Sequence, residues 1–335
     1  MEFALYRYEF EVMEKKDSST NLFPEQWDNL TPRMAFEKKS ELLDELLKKD
    51  YQQLALEQSQ LNTTEQSLHI AARSVPKLPL LQFTNGSKQP LYHMYATAPK
   101  DGFAILKLAR RSSVSHRPHP FQENAVKEDD YKSLHIIIDN RGTHQHVAIE
   151  KKSSVFKKTD TVAASLAHAL CEAFDRYGLI VKVVPQRDDK HFWEIVGDKE
   201  RYPNGFKRLF VKFPQINDPE VSKGLDELGL GYHRRHFGTS LGLNHEAPDG
   251  EPIPFDENDA YQQSFMNLAS LYGDIIKLTP KSGSPITFGG ECAKTGEMPD
   301  SIMQKIEESR KSPDLFNIDA KSQAMECMNK FFTTR

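Results

Sequence analysis

The chain has 335 residues, of which 38% are hydrophobic and 27% are charged, and its formal net charge is −4. This composition excludes an intrinsically disordered chain, and the length exceeds that of one ordinary domain. No apolar run approaches the roughly 18 residues that cross a bilayer, and the first residues lack the order of a signal peptide. The three cysteines form no C-x-x-C pair, which fits a reducing compartment. We therefore predict a cytoplasmic protein that does not insert into a membrane.

The N-terminal region, residues 1–90, contains one predicted strand and one predicted helix. The strand is FALYRYEFEV, which is rich in aromatic and β-branched residues. Thr31 and Pro32 are typical of a helix N-cap and first turn, and leucines then recur at helical spacing to about residue 48.

The central region, residues 91–214, alternates apolar and polar residues and predicts two β-hairpins. The first hairpin turns at 99–102, and the second turns at Asn140-Arg141-Gly142. Residues 112–131 between them are polar and predict a loop. An amphipathic helix is expected from Asp160 or Thr161 to about Gly178. Three further strands are predicted at LIVKVVPQ, HFWEIV and KRLFVKF.

The C-terminal region, residues 215–335, is mixed and mainly helical. It predicts short helices near 225–230 and after the acids at 256–259, a strand at IIKLT, and two polar helices at about 299–310 and 318–332. Helices and strands do not alternate strictly along the chain. We therefore predict an α+β fold with a central, hairpin-rich, mostly antiparallel sheet, one amphipathic helix and a helical C-terminal region.

One set of residues has the spacing of a metal-dependent nuclease. Ten residues separate Asp139 from Glu150-Lys151-Lys152, an arrangement like that of PD-(D/E)xK enzymes. In those enzymes two carboxylates hold Mg²⁺ or Mn²⁺, and the lysine stabilises the nucleophile or the developing charge. The same Asp139 is also a good turn former before Asn140, and no metal or cofactor is expected on that interpretation.

Basic residues lie at the ends of several predicted strands. If these ends meet on one surface, their cations would bind a phosphate backbone. The predicted nucleic-acid-binding residues are Lys107, Arg110, Arg111, Lys151, Lys152, Lys157, Lys158, Lys207, Arg208, Arg234 and Arg235. Solvated strand ends are the alternative interpretation of each group taken singly.

Other candidate motifs are weaker. The histidine pairs His116/His119 and His233/His236 lack a third metal ligand at suitable spacing. Ser240 lies in a Gly-x-Ser-x-Gly pattern, but the preceding residues do not predict the strand that a nucleophile elbow requires.

Between residues 91 and 214 the sequence resembles the family of bacterial antiphage-defence proteins that includes the phage-exclusion protein RexA. The resemblance rests on the order of strands and helix and on the IDN, AIEK and Phe192-Trp193 positions. It implies a cytoplasmic, homodimeric DNA-binding protein with a possible partner protein of the same defence system. We therefore expect a protein that binds DNA or RNA as a sensor or accessory protein. A metal-dependent nuclease and a protein-interaction subunit are the alternatives.

Overall fold

The chain forms two compact units. A computed structural model describes residues 1–13, 30–64, 80–116, 126–142, 144–213, 219–230, 241–248, 250–309 and 317–333. The first unit comprises residues 1–4, 10–183 and 295–335, and the second comprises residues 5–9 and 184–294. The predicted boundary after residue 90 falls inside the first unit, and the boundary after residue 214 falls inside the second.

Strands and helices occur in both units, and the predicted α+β class is confirmed. The strands are β1 (Glu2–Val12), β2 (Tyr92–Lys100), β3 (Phe103–His116), β4 (Val126–Asp139), β5 (His146–Glu150), β6 (Leu179–Pro185), β7 (Phe206–Phe213), β8 (Leu241–Glu246), β9 (Ile275–Pro280), β10 (Ile286–Thr287) and β11 (Thr295–Glu297). The α-helices are α1 (Pro32–Glu37), α2 (Lys39–Thr64), α3 (Thr159–Phe174), α4 (Asp189–Gly197), α5 (Pro219–Glu227), α6 (Ala260–Tyr272), α7 (Asp300–Ser309) and α8 (Asn317–Thr333).

The first unit is organised around a sheet with the strand order β11-β1-β5-β4-β3-β2, in which β6 also pairs with β1. The pairs β2–β3, β3–β4 and β4–β5 are antiparallel, so these four strands form a meander. Most of their buried side chains are apolar, and β4 contributes Leu134, Ile136, Ile137 and Ile138 to the core.

The tight turn between β2 and β3 follows from two residues that adopt positive φ. Asp101 has φ +52° and Gly102 has φ +78°, as a two-residue hairpin turn requires. The carbonyl of Gly102 accepts a 2.7 Å hydrogen bond from the amide of Asn140. A Cβ at residue 102 would lie 2.9 Å from the carbonyl carbon of Asn140, so the position favours glycine for two reasons.

The prediction of a polar loop over residues 112–131 was wrong for most of its length. β3 and β4 pair without interruption to His116 and Val126, so only residues 117–125 remain between them, and these lie outside the described part. Residues 112–116 and 126–131 are mostly polar, so they lack the alternation of apolar and polar residues that predicts a strand.

The predicted N-cap of α1 and the predicted apolar stripe of α3 are confirmed. The predicted start of α3 at Asp160 or Thr161 was wrong, because its N-cap is Lys158, which makes no side-chain cap hydrogen bond. The Thr31 hydroxyl accepts a hydrogen bond from the Met34 amide at 3.3 Å, which confirms the predicted N-cap of α1. In α3 the predicted apolar stripe is buried, and the helix continues through a 3-10 turn to Gly178 at φ +66°. The predicted helices near the C-terminus correspond to α7 and α8.

The second unit has an antiparallel sheet in the order β10-β9-β7-β8. In β7 the register against β9 shifts between Phe206 and Arg208, and this bulge leaves Lys207 and Arg208 exposed in succession. The predicted strand HFWEIV is instead helix α4, whose N-terminus is capped by the Asp188 carboxylate at 3.0 Å from the Lys190 amide. Phe192 is buried at the centre of this unit's core.

Within the described residues, no helix combines the length and the hydropathy that a bilayer span requires.

Candidate functional site

The longest hairpin of the first unit extends beyond the rest of its sheet. The pairing of β2 with β3 ends at Tyr92 and Ala109, and that of β5 with β4 ends at Ile149 and Ile136. The β3–β4 pairing continues for seven further residue pairs, from Arg110 opposite Lys132 to His116 opposite Val126. Among the described residues no third strand pairs with this segment, which we call the ribbon (residues 110–116 and 126–132). Seven pairs span about 24 Å.

Exposed cations lie on both faces of the ribbon where it leaves the sheet, at residues 110–111 and 131–132, which we call the ribbon base. Arg110 and Lys132 are direct cross-strand partners, and both side chains are exposed. Direct partners project from the same face, and like charges placed there repel each other. Neither has a carboxylate partner among the described side chains. On the opposite face Arg111 lies across from Tyr131, which is 52% exposed.

Two exposed tyrosines accompany the cations of the ribbon base. Tyr92 is 48% exposed, and its ring lies edge-to-face against the ring of Tyr131 with a centroid separation of 5.5 Å. Large aromatic side chains are usually buried, so an exposed pair beside arginine is informative. Aromatic rings in such a place can pack on the sugars or bases of a nucleic acid.

A second basic group lies at the same end of the sheet. Because β5 runs antiparallel to β4, the chain leaves β5 toward the end from which the ribbon projects. The following loop, residues 151–158, is anchored by the buried Val155 and Phe156, whose amides both bond the carbonyl of Lys152. Its exposed lysines are Lys151, Lys152, Lys157 and Lys158. Lys151 pairs with Glu2 at 2.6 Å.

Of the five remaining predicted basic residues, the structure describes three. Lys107 is paired with Glu307 at 2.7 Å. Lys207 and Arg208 belong to the second unit, where Arg208 forms an ion pair with Glu246. Arg234 and Arg235 lie outside the described residues, as do His119, His233, His236 and Ser240.

The structure does not bring the proposed nuclease carboxylates together. Asp139 lies opposite His146, whereas Glu150 bonds His135, which is four residues away from Asp139 along β4. The separation along the strand is therefore about 13 Å. Two carboxylates that share a metal ion lie much closer than this, and Lys152 is exposed beyond Glu150.

Each carboxylate has its own cationic or imidazole partner instead. Burial raises the pKa of Asp139, but two hydrogen bonds from Arg141, at 2.7 and 2.8 Å, and its charge outweigh burial and hold that pKa below its ordinary value. Burial likewise raises the pKa of Glu150, but bonds from His135 outweigh it and lower the pKa overall.

A polar network that is buried at His135 and Glu150 and partly exposed at Lys107 and Glu307 connects β3, β4, β5 and α7. His135 contacts Glu150 through Nδ1 and Glu307 through Nε2, each at 2.8 Å. Glu307 also accepts a hydrogen bond from Lys107. Each ring nitrogen of His135 has a carboxylate partner. We therefore infer that this network holds α7 on the sheet.

His144 and His146, which were not among the predicted site residues, lie beside Asp139. Their ligand atoms and the Asp139 carboxylate all lie within 4.8 Å of one another. The signal that could have found them is the His-x-His spacing at the start of a strand, because residues i and i+2 project from one face.

The second unit contains an apolar pocket of about 450 Å³ between β7, β8 and α6. Leu209, Phe255 and Phe265 line it, and the polar groups at its wall include His245 and Asp259. The Asp259 carboxylate is already engaged as the N-cap of α6, at 2.9 Å from the Gln262 amide. The pocket wall is therefore formed in part by the acidic segment 246–260.

Comparison with known proteins gave no match: no family model, no curated protein and no solved structure is significantly similar to this chain.

Proposed function

We propose that this protein binds double-stranded DNA at one end of the first unit's sheet. The binding surface consists of the ribbon and of residues 151–158, which we call the lysine loop. The observation that carries the proposal is the direct cross-strand pair of Arg110 and Lys132, both exposed. Two cations held side by side destabilise a free ribbon, and a phosphate between them removes that repulsion.

The dimensions of the ribbon favour duplex DNA over duplex RNA. The major groove of B-form DNA is about 12 Å wide and admits a two-stranded ribbon, whereas the major groove of A-form RNA is deep and narrow. The cations lie on both faces of the ribbon where it leaves the sheet, so a duplex that contacts this part meets positive charge on either side. Arg110 and Lys132 supply one face, and Arg111 supplies the other.

The lysine loop extends the same surface. β5 is separated from β3 by β4 alone, so the loop after β5 leaves the sheet about 10 Å from the β3 line. This distance is within the reach of a duplex that contacts the ribbon. Contacts of this kind position the protein on the phosphate backbone of the DNA. We therefore expect the affinity to depend only weakly on base sequence.

The test is DNA binding by fluorescence anisotropy with a labelled duplex at roughly 50 to 200 mM salt. We expect the affinity of the full chain to fall steeply with salt. In Arg110→Ala/Lys132→Ala the logarithmic salt slope should become smaller by about two, because each lost phosphate contact removes about 0.9. The control is Lys199→Ala/Lys277→Ala, which removes two exposed lysines of the second unit and should leave the slope unchanged.

Absence of binding at the lowest salt would refute the proposal. Equal slopes for the ribbon variant and the control would show that the binding surface lies elsewhere, and tighter binding to duplex RNA would overturn the choice of DNA.

The biological setting that we propose, a sensor or accessory role in bacterial antiphage defence, is supported by the resemblance of residues 91–214 alone. Phage challenge of cells that express either the natural chain or the ribbon variant tests it. Protection by the natural chain and its loss in the variant are expected, and equal plaque counts with and without the natural chain would contradict it.

A further inference from the structure

Asp139, His144 and His146 form a small cluster at the opposite end of β4 from the ribbon. Asp139 is the last residue of β4, His146 is the first of β5, and the two are direct cross-strand partners. Their side chains therefore project from one face. His144 lies two residues before His146, and its Nδ1 is 3.5 Å from an Asp139 carboxylate oxygen. We propose that this cluster binds a zinc-class divalent metal ion, independently of DNA binding.

An unsatisfied atom points to a ligand at this place. The Nδ1 atom of His144 is buried and has no hydrogen-bond partner among the described residues. Buried polar atoms are nearly always paired, because the lost hydration is otherwise uncompensated. A metal ion between His144 and Asp139 would provide the missing partner.

The surrounding residues hold two of the three ligands in place. The His146 ring stacks on Phe332 of α8 with a centroid distance of 3.7 Å and an interplanar angle of 4°. Arg141 bonds both oxygens of Asp139 and also contacts Asn329 of α8 at 2.9 Å. Such outer contacts orient metal ligands and keep them close to the binding geometry.

His144 is the ligand that would have to move, because within the described residues no stacking on α8 holds it as Phe332 holds His146. Two ligand atoms on one zinc ion are about 3.3 Å apart, given metal–ligand distances near 2.1 Å. The His144–Asp139 distance of 3.5 Å is close to this value, and the widest separation in the cluster does not exceed 4.8 Å. With its side chain 40% exposed, His144 has room to rotate toward the ion.

The chemical nature of the ligands determines the class of ion. Two imidazoles and one carboxylate favour Zn²⁺, Fe²⁺ or Co²⁺ over Mg²⁺ and Ca²⁺, which prefer oxygen ligands. Three protein ligands leave at least one position for water or another ligand. The guanidinium of Arg141 beside the carboxylate repels a cation, so we expect weaker affinity than at a site with an unpaired carboxylate.

Metal binding by the chelator-treated full chain tests the proposal, using Zn²⁺ in equilibrium dialysis and Co²⁺ in absorption spectroscopy. We expect one ion per chain, with ligand-field bands of Co²⁺ that Zn²⁺ abolishes and excess Mg²⁺ does not. His144→Ala and His146→Phe should each weaken binding by at least roughly tenfold. The phenylalanine at 146 retains a ring to stack on Phe332 but lacks the ligand nitrogen, so it separates metal binding from folding.

The matched control is His168→Ala, an exposed histidine of α3 that lies 3.7 Å from Glu172. It should bind metal like the natural chain. The proposal fails if the natural chain binds no stoichiometric Zn²⁺, or if affinity is unchanged in His144→Ala and His146→Phe. Circular dichroism of every variant verifies that a loss of binding does not result from unfolding.

Discussion

One carboxylate oxygen of Glu150 accepts hydrogen bonds from both the backbone amide and the ring Nδ1 of His135, at 2.9 and 2.8 Å. The other ring nitrogen of His135 contacts Glu307 of α7, which lies 172 residues further along the chain. This network joins a sheet and a helix that are distant in sequence. His135 and Glu150 are polar and buried, so the stability of the first unit should depend on keeping their hydrogen bonds.

The first prediction concerns this network under acidic conditions. Burial raises the pKa of Glu307, but bonds from Lys107 and His135 outweigh it and lower the pKa overall, as His135 does for Glu150. Because folding lowers these pKa values, the unfolded chain takes up protons at a higher pH than the folded chain does. The stabilisation is therefore fully present above the ordinary value of 4.5 and is lost as pH falls through the lowered values.

In urea unfolding, Glu150→Gln should lower the free energy of unfolding by about 1–3 kcal/mol at neutral pH. The difference from the natural chain should shrink as pH falls below 4.5. Glu172→Gln, which alters an exposed glutamate–histidine pair, should change stability by less than about 0.5 kcal/mol. A deficit in Glu150→Gln that stays constant through the acid range would contradict the assigned linkage.

The second prediction concerns Asp50, a fully buried carboxyl group of α2. It accepts hydrogen bonds from the Leu81 amide at 3.0 Å and the Tyr95 hydroxyl at 2.9 Å, and it contacts His93 Nε2 at 2.7 Å. Burial and the nearby Asp50 charge hold the pKa of Tyr95 well above 10, so its hydroxyl remains a donor.

Asp50→Ala leaves these three buried groups without their partner and should lower the free energy of unfolding by about 3–5 kcal/mol. Asp50→Asn retains one acceptor oxygen and should be less destabilising. Glu45→Ala, on the same helix in a partly exposed pair with Lys49, serves as the control. Similar unfolding midpoints for Asp50→Ala and Glu45→Ala in urea would show that the network contributes little.

The third prediction concerns Lys321 of α8, whose side-chain amine donates a 2.9 Å hydrogen bond to the carbonyl of Ala98. Burial lowers its pKa to about 8 from an ordinary value of 10.5. Between these two values the unfolded chain binds more protons than the folded chain. The stability of the natural chain should therefore rise as pH increases from about 8 toward 10.5.

Lys321→Met removes the buried charge and should raise stability at neutral pH by roughly 1–3 kcal/mol. Its unfolding free energy should also lack the alkaline rise that the natural chain shows. Lys330→Met, on an exposed part of the same helix, should retain that rise. Parallel pH profiles for the natural chain and Lys321→Met, measured by urea unfolding, would contradict this prediction.

Local patterns predicted much of the secondary structure because their causes are local. Thr31 and Pro32 begin α1, Asp101 and Gly102 turn the first hairpin, and the α3 stripe is buried, as expected. HFWEIV was predicted as a strand because six residues cannot distinguish periods of 2 and 3.6 when aromatic residues dominate. The Asp188 cap and the core around Phe192 decide in favour of the helix.

The candidate sites divide in the same way. Sequence alone identified Arg110, Arg111 and the lysines of residues 151–158, because charge and strand ends are visible in the chain, but it did not identify Lys132. The register of β3 against β4 decided that Arg110 faces Lys132, and the antiparallel course of β5 placed the lysine loop at the same end. The sequence spacing of Asp139 and Glu150 did not show that the two residues lie about 13 Å apart along the strand direction.

The amino-acid sequence by itself determined the α+β class, the hairpin-rich centre and several helix boundaries, since propensity, caps and turns act over a few residues. Only the tertiary structure decided which polar groups meet. Glu307 reaches His135 and Asn329 reaches Arg141 across more than 170 residues of chain. Contacts of that separation depend on strand register and helix docking, and burial of the whole core sets both.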